Sequence, residues 1–311
     1  MHILALVPGG ISDQILFFPT LETLKRVYPN AAIDVVTEPQ TVGAYGITPT
    51  VRKTIPFSFG DSNSLADWSN LLGVIREQEY ELAITLKGGF AIGLLLWLSG
   101  IPRRIGFADQ GTPFLTQSVP DKAAQYFGQR YHDLLQGVGI TTPCPQDVTV
   151  SIPRKALEWA EGEQKRLGLM ESGYLLVDAT QGNYPTQSWR LVLKNIQEQQ
   201  PTLPIVMVQQ EIPLELPGLM QESGIAIKTV VPEDLTRLAA LIAGANLVLC
   251  TEGDALQVAV AVKTFTIALL GATKIERYLP PSDRFVGVQS TSGKIEDISP
   301  QQVLDVLAGN R

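Results

Sequence analysis

Short apolar runs alternate with helix-length segments along almost the whole chain, and this alternation limits the fold more than any other feature. Residues 3–7, 31–36, 82–86, 174–177, 205–208, 226–230, 246–250 and 264–270 have strand length and few charges. Between them, residues 15–27, 64–78, 90–98, 154–167, 189–199, 235–243, 255–262 and 301–308 read as helices. Ile15, Phe18, Leu21 and Leu24 fall on one helical stripe, and Leu65, Trp68, Leu71, Leu72 and Ile75 on another, both expected to face inward. Apolar strands joined by helical crossovers belong in a parallel sheet covered on both faces. Residues 38–60 read mostly as loop around a short strand at 54–57, and 111–129 as irregular before a short helix at 131–138. Trp97 and the leucines around it are expected in the core. Ser299-Pro300 reads as an N-cap with proline at the first helical position.

The alternation is interrupted once by a different composition. Residues 141–151, TTPCPQDVTVS, carry prolines and no helical period, which suits a linker. A chain of 311 residues accommodates two ordinary cores, so the expected domains are 1–150 and 151–311. Two Rossmann-like domains with parallel sheets facing across a cleft follow, an α/β architecture.

Bulk chemistry excludes several function classes. Hydrophobic content of 45% with 18% charged residues describes a folded chain. A net charge of −7, from 24 basic and 31 acidic residues, gives no footprint for nucleic acid. Cys144 and Cys250 form no CxxC or CxxH spacing, so neither a disulfide framework nor a zinc site is expected. The N-terminus lacks a basic region and cleavage site, which points to the cytoplasm. Residues 88–101, the longest apolar run, are too short and glycine-interrupted for a transmembrane segment.

The opening stretch, residues 4–20 (LALVPGGISDQILFFPT), holds the first chemical candidate. A strand runs into Pro8-Gly9-Gly10, and Asp13 stands in or beside the first turn of the next helix. Such turns open at the carboxyl ends of parallel strands, where these sheets bind ligands. On local grounds Asp13 is either an acid favoured by the helix dipole or a catalytic carboxylate. Glu252-Gly253-Asp254 is likewise either a solvated turn or a ligand site. His132 reads as structural, and Arg103 and Arg104 as surface ion-pair partners.

The chain resembles glycosyltransferase family 9, the heptosyltransferase-like enzymes of lipopolysaccharide biosynthesis, over nearly its whole length. The resemblance rests on Gly10-Ile11-Ser12-Asp13 with Pro19, Leu21 and Tyr28-Pro29 after it, and on Gly100-Ile101-Pro102-Arg103-Arg104-Ile105-Gly106-Phe107. Residues 238–249 (LAALIAGANLVL) and 269–273 (LLGAT) extend it into the second half. It implies the GT-B fold and an inverting, metal-independent transfer of a heptose-like sugar from a nucleotide-sugar donor to a glycan or lipid-linked acceptor. No cofactor is implied. Asp13 then matches the catalytic base, with Gly9, Gly10 and Ser12 on the acceptor side in the first domain. The second domain would bind the donor through Thr180, Gln181, Gln187, Glu252, Gly253, Asp254 and Gln257. Peripheral association with the inner membrane face is also implied, since relatives act on lipid-linked acceptors.

Several positions depart from the family pattern. Ser12 replaces a glycine, and Gln187, two residues ahead of Trp189, replaces a basic residue. The motif Asp-Thr-Gly-x-x-His falls on Glu252-Gly253-Asp254-Ala255-Leu256-Gln257. The turn Gln209-Gln210-Glu211 lacks a glycine many relatives carry. These changes support a second expectation, a catalytically lapsed relative serving as a binding or assembly module with a protein partner.

Overall fold

The structure, a computed structural model, describes residues 1–60, 63–169, 173–209 and 215–309. Gln210 and Glu211 of the expected turn lie outside the described residues. The chain divides into two compact units, Met1–Ser151 and Ile152–Arg311.

The first unit contains, in order, β1 (His2–Val7), α1 (Ile11–Leu16), α2 (Phe18–Val27), β2 (Ala32–Thr37), β3 (Lys53–Pro56), α3 (Leu65–Arg76), β4 (Leu82–Thr85), α4 (Phe90–Leu98), β5 (Arg103–Phe107), β6 (Gln117–Val119) and α5 (Phe127–His132). Its six parallel strands have the order β3-β2-β1-β4-β5-β6. Ile3 stands beside Ile33 on one side and Leu82 on the other, so β1 is central. Leu4 and Leu6 pack with Leu71 and Ile75 of α3 and Ile92, Leu95 and Leu96 of α4. The alternate residues of β1 point to the opposite face, which is why the strand reads as continuously apolar.

The second unit contains α6 (Arg154–Arg166), β7 (Leu175–Asp178), α7 (Thr186–Gln199), β8 (Ile205–Val208), α8 (Leu216–Glu222), β9 (Ile227–Val230), α9 (Leu235–Gly244), β10 (Leu247–Thr251), α10 (Asp254–Val262), β11 (Thr266–Leu270), α11 (Ile275–Tyr278), β12 (Phe285–Gln289) and α12 (Pro300–Leu307). Its six-stranded sheet runs β12-β11-β10-β7-β8-β9. Counted from each unit's first strand, both sheets share the doubly wound order, with the direction of winding reversing beside that strand. Trp189, Val192, Leu193 and Ile196 of α7 pack with Val303 of α12 in one core under this sheet.

The structure corrects several sequence expectations. The first helical stripe begins at Ile11 and is divided at Phe17, with Pro19 near the start of the second piece. β6 and β12 are sheet edges in stretches where the sequence pattern shows no strand, and α8 is likewise a helix without a clear periodic signal. A strand as short as Gln117–Val119 offers too few residues to display alternation. Residues 127–129, expected to be irregular, already belong to α5. Leu65 is 87% exposed, and Trp97 is 55% exposed rather than buried. Because α4 is apolar on every side, periodicity could not select its inner face; Ile92, Leu95 and Leu96 occupy it. Phe90 and Trp97 instead pack outside on Phe114, with ring centroids 5.2 and 6.4 Å from it.

Arg103 and Arg104 form no ion pair among the described residues. Arg104 donates to the carbonyls of Phe114 and Ile101, and Arg103 reaches the Met1 sulfur at 4.0 Å. His132 is buried and shares a hydrogen bond of 2.9 Å with Thr23 Oγ1, and burial lowers its pKa. Cys144 and Cys250 are free thiols, and burial pushes Cys144 up to about 12. Among the described residues no helix is long and apolar enough to cross a membrane.

Candidate functional site

In each unit the candidate residues gather where the first and fourth strands of the sheet end, the position where doubly wound sheets bind ligands. The first unit's turn is built around Gly9, Asp13 and Gln14. Gly9 has φ +110°, and a Cβ there would lie 2.3 Å from Asp13 Oδ2, so both conformation and crowding require glycine. Gly10 N–H donates to Asp13 Oδ2 at 3.0 Å, which places the acid in the first turn of α1.

Gln14 staples this turn from below. Its amide donates to Val7 O at 3.0 Å and Gly10 O at 3.3 Å, while its oxygen accepts from the Tyr45 hydroxyl at 2.6 Å. Gln14 and Tyr45 are buried, and burial pushes the Tyr45 phenol well above its ordinary pKa, so it stays a neutral donor. Ser12 lies between Asp13 and the start of the helix and is partly exposed.

Across from the turn, Tyr131 of α5 donates its hydroxyl to Asp13 Oδ1 at 2.7 Å. The two residues are 118 positions apart, and no local pattern announces their meeting. A cavity of about 430 Å³ opens beside them, lined by Pro8, Gly9, Glu38, Phe59, Gly60, Leu86, Lys87, Arg130 and Tyr131. The ends of β1, β2 and β4 therefore all contribute to one opening. Arg130 is pinned by paired hydrogen bonds of 2.6 and 2.7 Å to Asp121, and its guanidinium lies 5.2 Å from the Phe107 ring centroid. Sequence reasoning found Gly9, Gly10, Ser12 and Asp13 but missed Gln14, Tyr45, Lys87, Arg130 and Tyr131. Residue type alone does not separate those from ordinary helix and loop residues.

The second unit brings Thr180, Gln181, Glu252, Gly253 and Asp254 together at the ends of β7 and β10. Thr251 donates its hydroxyl to Gln181 O, tying the two turns. Gln181 Nε2 donates to Asp254 Oδ2 at 3.0 Å, and the same amide lies so close over Gly253 that a Cβ there would meet Gln181 Oε1 at 2.2 Å. Thr180 is turned inward, donating through both N–H and hydroxyl to Asp178 Oδ1 at 2.8 and 2.6 Å. Burial raises the pKa of Asp178, those two bonds partly offset the shift, and the nearby Asp254 charge adds to it. Glu252 accepts from Thr273 Oγ1 and, at 3.4 Å, from Gly271 N–H, which joins the turn after β11 to the same cluster.

Gln257 and Gln187 stand apart from this group. Gln257 lies inside α10, 1% exposed, and donates to Tyr278 O at 3.0 Å, while its Oε1 has no partner among the described residues. Gln187 is exposed in the first turn of α7, and among the described residues no hydrogen bond or ion pair joins it to the others. The cluster at the strand ends is thus made of carboxylates, hydroxyls and amides. Where the resemblance requires a close-approach glycine and a basic side chain, this chain presents Asp254 and Gln187.

Comparison with known proteins agrees with this architecture. A family profile described as glycosyltransferase family 9 (heptosyltransferase) matches residues 68–307. Lipopolysaccharide heptosyltransferase 2 of Escherichia coli is 28% identical over 168 residues, 53% of this chain, and the match spans only 48% of that relative's length. Photosynthetic NDH subunit of subcomplex B 1 from Arabidopsis thaliana is 22% identical over 103 residues, covering 32% of this chain and 22% of that protein. Among solved structures, a glycosyl transferase family 9 protein from Veillonella parvula superposes with a TM-score of 0.85 at 17% identity, covering 99% of this chain and 96% of that one. An E. coli heptosyltransferase solved with ADP-2-deoxy-2-fluoro heptose gives 0.78 at 15% identity over 100% of both chains. The fold is accordingly GT-B, α/β with two Rossmann-like units. With a family profile matching residues 68–307, this chain belongs to glycosyltransferase family 9.

Proposed function

We propose that this chain is an inverting, metal-independent glycosyltransferase that moves a heptose-like sugar from a nucleoside diphosphate donor to a lipopolysaccharide or other glycan acceptor. In this reading residues 1–150 receive the acceptor and residues 151–311 the donor. The carrying observation is Asp13, held by Gly10 N–H and the Tyr131 hydroxyl beside an open cavity. Asp13 takes the proton of the acceptor hydroxyl while the acceptor oxygen forms a bond to the anomeric carbon. The bond from that carbon to the diphosphate oxygen breaks, and the nucleoside diphosphate leaves with the electron pair.

Support for the donor chemistry comes from the E. coli heptosyltransferase of the same fold, which was solved with an ADP-heptose analogue. The turns after β7 and β10, with Thr180, Gln181, Glu252, Gly253 and Asp254, are the core of the proposed donor side, and Gln187 and Gln257 belong to it only by their place in the family pattern. Backbone N–H groups and hydroxyls would carry the leaving-group charge there. A cytoplasmic location, with peripheral contact at the inner membrane face, accompanies this reading.

A second reading is favoured by one specific observation. Gln181 and Asp254 bond to each other across Gly253, so the Gln181 amide occupies the approach to the Gly253 backbone, and the uncharged Gln187 stands where the family pattern has a basic residue. Under this reading the chain is a lapsed family member that binds a protein partner. The Arabidopsis relative carries the name of a complex subunit, which supports the same direction.

Calorimetric titration with ADP-, GDP- and UDP-sugars separates the readings. The transferase reading expects micromolar binding of one donor class, with Asp13→Asn retaining affinity and losing turnover. Absence of binding to the whole panel sinks it.

A further inference from the structure

We propose that Tyr131 is a positioning residue for Asp13, holding the carboxylate in one orientation beside the cavity that Gly9 and Tyr131 line. The inference rests on the base role proposed for Asp13. Among the described residues each carboxylate oxygen accepts a hydrogen bond, Oδ2 from Gly10 N–H at 3.0 Å and Oδ1 from the Tyr131 hydroxyl at 2.7 Å. Two bonds from opposite walls stop the carboxylate rotating about its last side-chain torsion, which is otherwise broad. Each oxygen keeps a further lone-pair direction for an incoming hydroxyl proton.

Tyr131 is suited to this task because it is itself fixed. It is 7% exposed, and its ring stacks on Phe127 with centroids 6.3 Å apart and planes 30° apart. The Arg130 guanidinium sits 6.0 Å from the Tyr131 ring centroid and is locked to Asp121. The phenol therefore comes from a rigid wall of the cavity and not from a mobile loop. It keeps its own proton throughout: the acceptor proton goes to Asp13, and the phenol acts only through that carboxylate.

The test uses ADP-heptose as probe with water as acceptor. Water adds to the anomeric carbon, its proton passes to Asp13, the bond to the β-phosphate oxygen breaks, and ADP is released and measured. Tyr131→Phe keeps the ring stack and removes only the hydroxyl, so its unfolding midpoint should stay close to wild type. Misplacing a reacting group by about 1 Å costs roughly 10²-fold, so kcat should fall by about that factor with KM for ADP-heptose unchanged. An unchanged kcat, or a loss appearing in KM alone, overturns the proposal. If the wild-type protein releases no ADP from this donor, the turnover reading with ADP-heptose fails. The positioning claim is then decided by a crystal structure of Tyr131→Phe: a rotated Asp13 carboxylate supports it, and an unmoved one overturns it.

Discussion

At the scale of single residues, buried polar groups separate those that secure a turn from those that strain the unit holding them. Gln14 has its donors and acceptor satisfied and fixes the backbone on which Asp13 stands. Asp34 is similar: it is buried in β2, with Arg52 donating to both its oxygens and Tyr80 donating to one at 2.7 Å. Burial pushes its pKa up, but the Arg52 and Tyr80 bonds prevail and hold it below the usual carboxylate range. Asp178 is the opposite case, a buried carboxyl whose pKa is raised. Above the unfolded value of about 3.9 the unfolded chain has released a proton that the native state still binds. Stability therefore falls as pH rises from that value through the folded pKa. Asp178→Asn is expected to raise the thermal midpoint at pH 7 and to give no gain at pH 3, as read by calorimetry at both pH values.

At the scale of elements, α4 shows how far pattern alone reaches. Its existence and ends were legible because nine apolar residues bounded by glycine have no other compact solution. Its orientation was not, since an all-apolar helix carries no polar face to mark the outside. Chemical denaturation can check the assignment. Trp97→Ser should cost about 0.5–1.5 kcal/mol, the worth of its ring contact with Phe114 at a half-exposed position. Leu96→Ala, fully buried against Leu4 and Leu6, should cost roughly 2–5 kcal/mol. Equal losses at the two positions would reverse the faces.

The same physics explains what else could be read. Central strands such as β1 and β10 are apolar on both faces and stand out. Edge strands such as β6 and β12 are short or interrupted by Gly287, and do not. In the candidate site, Asp13 was legible because a glycine turn precedes it. Tyr131, Arg130 and Lys87 were not, because the sheet brings them to the turn from distant parts of the chain.

At the scale of the whole molecule, the same strand order occurs twice, and each unit has a core of its own. Residues 1–151 and 152–311, produced as separate fragments, are each expected to unfold cooperatively on heating. Leu193→Ala should lower the midpoint of the 152–311 fragment only; a fragment without a cooperative transition would mean that its core depends on the other unit.

The duplication also exposes a contrast between the two strand-end turns. In the first, Asp13 is bonded at its flanks beside an open cavity. In the second, the Gln181 amide already lies across Gly253 and on Asp254, so the turn carries a tethered competitor that is part of the chain itself. Any ligand that must approach the Gly253 backbone can enter only the fraction of molecules in which that bond is open. A hydrogen bond of net worth about 1 kcal/mol lowers the apparent affinity of such a ligand roughly fivefold. The affinity of the second unit's turn for such a ligand is therefore set partly by Gln181, before any ligand arrives.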